Sequence, residues 1–119
     1  MFLSRDQIQL EIDNNGYVFL PTGVYEAYDL TPDNNGNLTI IGTYGTKIVN
    51  TSGINFISLR SDANNICLKN LTIEGFLDGG AVASSIGISL NNFLAENLEV
   101  KNCKEGISLP CLFQMATAR

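Results

Sequence analysis

Hydrophobic residues in this chain come in short alternating bursts, punctuated by Asn, Gly and Asp. Residues 37–42 read Asn-Leu-Thr-Ile-Ile-Gly, residues 70–75 Asn-Leu-Thr-Ile-Glu-Gly, and residues 97–102 Asn-Leu-Glu-Val-Lys-Asn. A second phrase interleaves with the first: Phe56-Ile57-Ser58-Leu59, Gly87-Ile88-Ser89-Leu90 and Gly106-Ile107-Ser108-Leu109. An apolar side chain at every second position marks a strand with one buried face. The copies of the first phrase start 33 and then 27 residues apart. Two strand phrases returning in a fixed order, at a period of roughly 20–50 residues, predict a solenoid.

The alternation assigns strands to 57–59, 66–68, 71–73, 88–90, 93–95, 98–100 and 107–109, with loops at 60–65, 74–85 and 101–105. Three short strands per coil, joined by two turns and one variable loop, make a parallel β-helix. Four inward columns are expected: Leu38, Leu71 and Leu98; Ile40, Ile73 and Val100; Ile57, Ile88 and Ile107; Leu59, Leu90 and Leu109. Like stacks on like because successive coils lie ~4.8 Å apart. Thr72, Glu99, Ser58, Ser89 and Ser108 then face outward. Asn37, Asn70 and Asn97 are expected at one turn, since Asn tolerates the left-handed backbone that a sharp bend needs. Their amides would bond from coil to coil as an asparagine ladder. Asn37, Asn50 and Asn70 also open glycosylation sequons, but a ladder amide turned into the turn is closed to modification. The run Lys47-Ile48-Val49 fits either the main stack or a side excursion.

Residues 4–13 predict a helix. Ser4 and Gln7 have the capping-box spacing, Asp6 sits where the helix dipole favours a carboxylate, and Ile8 and Ile12 share a face. Asn14-Asn15-Gly16 stops it. A helix this short needs an apolar surface to lie on. The phrase Val18-x-Leu20-Pro21-x-Gly23-x-Tyr25 follows, as a strand that Pro21 ends. This succession, over residues 4–109, resembles the N-terminal part of the pectate-lyase superfamily. The resemblance implies a right-handed parallel β-helix of about three coils whose N-terminal helix plugs the open end. After Leu109 the pattern stops. Residues 110–119 are expected either to form a makeshift cap or to mark the chain as part of a longer protein, since a bare coil end exposes strand edges. On this reading residues 1–119 are a single β-helix domain, with coils over 17–109.

Composition narrows the chemistry. With 45% apolar and 16% charged residues, the chain suits a globular all-β protein rich in turns. A net charge of −5 argues against sequence-independent nucleic-acid binding. No apolar run approaches the ~20 residues of a membrane span, and no secretory signal is visible. Three cysteines, Cys67, Cys103 and Cys111, are widely spaced and read as free thiols. The chain has no histidine, which removes Ser-His-Asp and Cys-His catalysis.

Enzymes of the resembled superfamily act on acidic polysaccharides with clustered Asp, or with Asp-bound calcium and an Arg or Lys base. Their phrases (Asn-x-Asp, Asp-Asp, Gly-His-Gly, Arg-x-Lys, Asp-His and Arg-x-x-Pro-x-x-Arg) are absent, so no catalytic residue is assigned. Loop carboxylates Asp62, Glu74 and Asp78 are the acidic candidates, for sugar contact or calcium, though no calcium motif supports the latter. Ser58, Ser89, Arg60 and Asn91 outline a polar sheet face. Flanked by Tyr44 and Phe76, that face would bind a polysaccharide by hydrogen bonds and ring stacking. The expected function is a non-catalytic β-helix module, structural or glycan-binding, of a larger surface or phage-tail-type protein. The alternatives are an N-terminal fragment of a polysaccharide lyase or glycoside hydrolase whose catalytic residues lie beyond residue 119, or a truncated product with no function of its own. By analogy with tailspike-type relatives, the resemblance implies a homotrimer in an extracellular or virion setting.

Overall fold

The structure, a computed structural model, describes residues 3–60, 62–84 and 90–107. Its order is α1 (Arg5–Asn15), β1 (Tyr17–Leu20), β2 (Val24–Glu26), β3 (Asn37–Gly42), β4 (Lys47–Val49), β5 (Ile57–Leu59), β6 (Asn65–Glu74), β7 (Gly80–Ser84), β8 (Asn92–Lys101) and β9 (Glu105–Ile107). Every strand pairing is parallel. The chain therefore winds as a parallel β-solenoid of about three turns, with an N-terminal helix. β6 and β8 each bend at an asparagine in left-handed backbone, Asn70 (φ 60°) and Asn97 (φ 53°), so one strand serves two faces. Face one is β1, β3 and the first halves of β6 and β8; face two is β2, β4 and their second halves. Face three is β5, β7 and β9, with Leu30 bridging to Ile57.

The core runs down the middle as columns. Val18, Ile40, Leu68 and Ala95 stack on face one, beside Leu38, Ile66 and Phe93. Face two contributes Tyr25, Ile48, Ile73 and Val100, and the pair Leu71 and Leu98. Face three contributes Leu30, Ile57, Val82 and Ile107. All but Val100 and Ile107 are buried. Each such large apolar side chain stabilises the fold by about 1.5–3 kcal/mol before entropy is counted. The Tyr25 hydroxyl, in the same core, donates to the Pro21 carbonyl at 2.6 Å, and burial pushes its pKa up.

The register differs from the expected one in an instructive way. Asn37-Leu38 pairs with Asn65-Ile66, which pairs with Asn92-Phe93. It does not pair with Asn70-Leu71. Leu38 therefore leaves the expected Leu71–Leu98 column, and Ile40 leaves that of Ile73 and Val100, where Ile48 stands instead. The Asn-Leu-Thr-Ile phrase occupies face one in its first copy and face two in the later copies. Both places ask for the same thing, an Asn at a bend followed by alternation. Val82 stands between Ile57 and Ile107, the place expected for Ile88, and Ser58 lies beside Ala83. The expected loop 74–85 thus contains strand β7. Gly80 belongs there because a Cβ would sit 2.7 Å from the Glu105 carbonyl of the next coil. β9 begins at Glu105, not Ile107, and Leu59 pairs with Ser84. Lys47–Val49 is a main-stack strand. Ile88, Ser89, Ser108, Leu109 and the 110–119 tail lie outside the described residues.

Asparagines close the bends in three ladders. Asn97 Nδ2 donates to Asn70 Oδ1 at 3.0 Å, and Asn70 Nδ2 to the Gly42 carbonyl at 3.3 Å. At the bend entering face one, Asn65 donates to Asn37 at 3.0 Å and Asn92 to Asn65 at 2.7 Å. Beside them Asn91 donates to Asn64. Asn37 is therefore a ladder residue, but in the column of Asn65 and Asn92. Asn50, at the bend between faces two and three, donates to the Gly53 and Gly75 carbonyls and accepts from Ser52 and Gly53 N–H. Among the described residues no buried side-chain nitrogen or oxygen lacks a partner. That is what a polar bend inside a packed stack requires.

The N-terminal edge is closed by α1. Its capping box is complete: Ser4 Oγ accepts from Gln7 N–H, and Gln7 Oε1 accepts from Ser4 N–H. Ile8 and Ile12 are fully buried on the end of the stack. Gln9 Nε2 donates to the Thr31 carbonyl at 2.9 Å, and its Oε1 accepts from Thr31 N–H at 2.9 Å. One side-chain amide thereby does the work of a missing neighbouring strand. Arg5 donates to the Tyr28 and Asp29 carbonyls at 2.9 and 2.6 Å. Gly16, left-handed at φ 69°, leads straight into β1, and its carbonyl already accepts from Thr39 N–H.

Candidate functional site

The sequence-derived candidates do not converge. Arg60 is tied to the fold, donating to the Pro32 and Asp33 carbonyls and pairing with Asp62 at 3.2 Å. Asn91 is a ladder residue. Ser58 accepts from the Asn55 amide on face three. Glu74 pairs with Lys47 at 3.4 Å on the outer side of face two. Asp78 is exposed in the loop before β7, and Ser89 lies outside the described residues. Phe76 is not an open stacking platform: it is fully buried, with its ring 6.1 Å from that of Phe56. Its neighbour Leu77 is exposed. Among the described residues, Asp, Glu and Cys form no group of three or more placed to hold a metal ion.

Of the described cysteines, Cys67 is not set up as a nucleophile. Cys67 faces outward on face one, half-buried, and its thiol pKa is raised, first by burial and then by Glu96, with Lys69 opposing. A thiol held protonated is a poor attacking group. Cys103 directs its thiol to the Lys101 carbonyl at 3.3 Å. Cys111 is outside the described residues.

Two open grooves stand out among the described residues. One, of about 470 Å³, lies at the start of α1 between Arg5, Glu26 and Tyr28. Its cationic group is already committed: Arg5 binds two carbonyls, lies 3.3 Å from Asp6 and stacks 5.8 Å from the Tyr28 ring. The other, of about 760 Å³, lies at the bend between faces one and two, lined by residues 43–46, Asn70, Thr72, Asn97 and Glu99 among others.

This second groove exists because the coils differ in length at one bend. Numbering the coils by their face-one strands, β1, β3, β6 and β8 for coils one to four, coils three and four turn the corner on a single asparagine, Asn70 or Asn97. Coil two uses the turn Thr43-Tyr44-Gly45-Thr46, which projects as a lip. Thr46 N–H closes the turn onto the Thr43 carbonyl at 3.0 Å, and Gly45 takes φ 90°. A positive φ at the third turn residue is what a type II turn asks of glycine. The lip is anchored below. Thr46, 1% exposed, donates its hydroxyl to the Leu20 carbonyl at 3.0 Å and accepts from Thr43 N–H at 3.1 Å. Thr22 Oγ1 donates to the Tyr44 carbonyl at 2.8 Å. Tyr44 itself is 98% exposed.

Opposite the lip are polar side chains set by the register. Thr72 and Glu99 are paired neighbours on the outer side of face two. The Thr72 hydroxyl donates to Glu99 Oε1 at 3.5 Å, and Lys101 Nζ lies 3.6 Å from the same oxygen. Asn97 is the last rung of its ladder among the described residues. The arrangement places a solvent-facing ring, carried on an anchored turn, beside hydroxyl, amide and carboxylate groups. It holds one carboxylate and no general base paired with a nucleophile. The sequence pattern points to Tyr44 as a stacking residue and turns Thr72 and Glu99 outward. The grouping of all three depended on the register.

No protein-family model matches this chain, and neither the curated proteins nor the solved structures contain a match to it.

Proposed function

We propose that this chain is a non-catalytic β-solenoid module that binds glycan in the groove at the first bend. The reading rests on one observation: Tyr44 stands fully open on an anchored lip beside Thr72, Asn97 and Glu99. Aromatic rings offer large contact area at low entropic cost, and the apolar face of a sugar ring suits them. Polar groups beside the ring fix orientation through hydroxyl contacts. A lip pinned by Thr22 and Thr46 spares the ordering cost that a mobile loop incurs on binding. The solenoid plan, with its N-terminal helix and stacked asparagines, is also what a pectate-lyase-superfamily member would have, and polysaccharide contact fits that relationship. The groove's single carboxylate lacks the partner that glycoside hydrolysis uses, so the groove itself is read as a binding site; the alternative of a polysaccharide-cleaving protein places its catalytic residues beyond residue 119, outside this groove.

Titration of the 15N-labelled protein with oligosaccharides tests the reading. Shifts should centre on Tyr44, Thr72 and Asn97. Tyr44→Ala should weaken binding about tenfold, the equivalent of 1.4 kcal/mol of stacking. Shifts centred on face three, with Tyr44→Ala binding unchanged, would move the site elsewhere.

A further inference from the structure

Resting on the glycan-binding reading, we infer that the groove selects a neutral polysaccharide, laid along the stack axis, over an acidic one. The groove is rich in acceptors. Glu99 presents a carboxylate, which only accepts. Asn97 Nδ2 already donates to Asn70 Oδ1, and its own Oδ1 has no partner among the described residues. The Thr72 hydroxyl directs its hydrogen to Glu99 and keeps its lone pairs outward. Such a surface calls for donors, and the hydroxyls of a neutral sugar supply them.

A polyuronate carries an acceptor-only carboxylate on each sugar in place of a hydroxymethyl group and must be met by cations. Face two has none to spare. Lys47 is paired with Glu74 at 3.4 Å and Lys101 with Glu99 at 3.6 Å. The chain as a whole carries a net charge of −5, so its long-range field also repels a polyanion. Like charges brought together across an interface act as a filter against the wrong partner.

The direction follows from which coil supplies each contact. Tyr44 belongs to coil two, Thr72 to coil three and Glu99 to coil four. These contacts span two strand spacings, about 10 Å along the axis. A disaccharide unit covers that distance, with one ring on Tyr44 and the next over Thr72 and Glu99.

Calorimetric titration with neutral hexasaccharides (cello-, xylo-, manno- and N-acetylglucosamine series) and with hexagalacturonate decides the matter. At least one neutral series should bind tenfold or more tightly than hexagalacturonate at low salt. Glu99→Gln should weaken the neutral ligand and strengthen hexagalacturonate, narrowing the ratio at least fivefold. Glu11→Gln, which removes an exposed charge of α1, should leave the ratio within twofold. If the wild type prefers hexagalacturonate and Tyr44→Ala abolishes that binding, the neutral preference is overturned and the glycan site stands. If no hexasaccharide binds, or if Tyr44→Ala binds as the wild type does while its circular dichroism is unchanged, the glycan site itself is overturned.

Discussion

Asn70 shows how one residue can serve the backbone and the stack together. Its φ of 60° lets β6 pass from face one to face two without a loop. Its amide reaches back to the Gly42 carbonyl, while its Oδ1 accepts from Asn97 in the next coil. Alanine would lose both bonds and carry the steric cost of left-handed backbone. Asn70→Ala should therefore destabilise by about 2–3 kcal/mol in urea titration. Asn70→Gly keeps the backbone freedom and loses only the amide, so it should cost about 1 kcal/mol. Equal losses in the two variants would mean that the ladder, not the bend, is why Asn stands there. The glycosylation sequon at this position is subordinate to the same bonds, since the nitrogen that would carry a sugar is the donor to the Gly42 carbonyl.

At the scale of the element, α1 is a closing piece whose polar residues matter as much as its apolar ones. Ile8 and Ile12 cover the end of the core, but the first coil also offers backbone groups with no coil beyond them. Gln9 satisfies the N–H and the C=O of Thr31 at once, and Arg5 satisfies two further carbonyls. Gln9→Ala should cost about 1–3 kcal/mol, because it strands two backbone groups at a packed edge. Glu11→Ala, on the exposed side of the same helix, should stay within about 0.5 kcal/mol. Similar losses from both would reduce Gln9 to a helix-propensity effect. This element was legible in the sequence because its signals are local: Ser4 and Gln7 three apart, Ile8 and Ile12 four apart, Gly16 at the end. The strands were legible for the same reason, through alternation. Their register was not. The phrase Asn-Leu-Thr-Ile suits either bend, and coil two carries the extra residues 43–46, which shift its later copies out of step. A better signal lay in the Asn64-Asn65 and Asn91-Asn92 pairs, spaced 27 apart like Asn70 and Asn97. β7 hides within the expected 74–85 loop, where Gly79 and Gly80 carry no alternation, whereas Gly80 is there for close approach to the next coil. The groove inherits the same difficulty: Tyr44 could be named from sequence, but Thr72 and Glu99 join it only once β4, β6 and β8 are aligned.

For the whole molecule, a stack of coils makes stability depend on position along the axis. In such an array each unit contacts only its neighbours, so a terminal unit has roughly half the support of a central one. β6 pairs along one edge with β3 and β4 and along the other with β8. β2 and β9, of three residues each, have one partner strand apiece among the described residues. Native-state hydrogen exchange should therefore be slowest for the β6 amides, intermediate for β1 under its helical cap, and fastest for β2 and β9. Tyr44 and its lip lie close to the protected centre, anchored through Thr46 to coil one and by register to β6. The groove should thus keep its shape while the ends of the stack open and close. Exchange at one common rate in β6, β2 and β9 would overturn the gradient and make the solenoid a single cooperative unit. In that case a variant at either end, such as Gln9→Ala, would loosen the Tyr44 lip by the same free energy by which it loosens the cap.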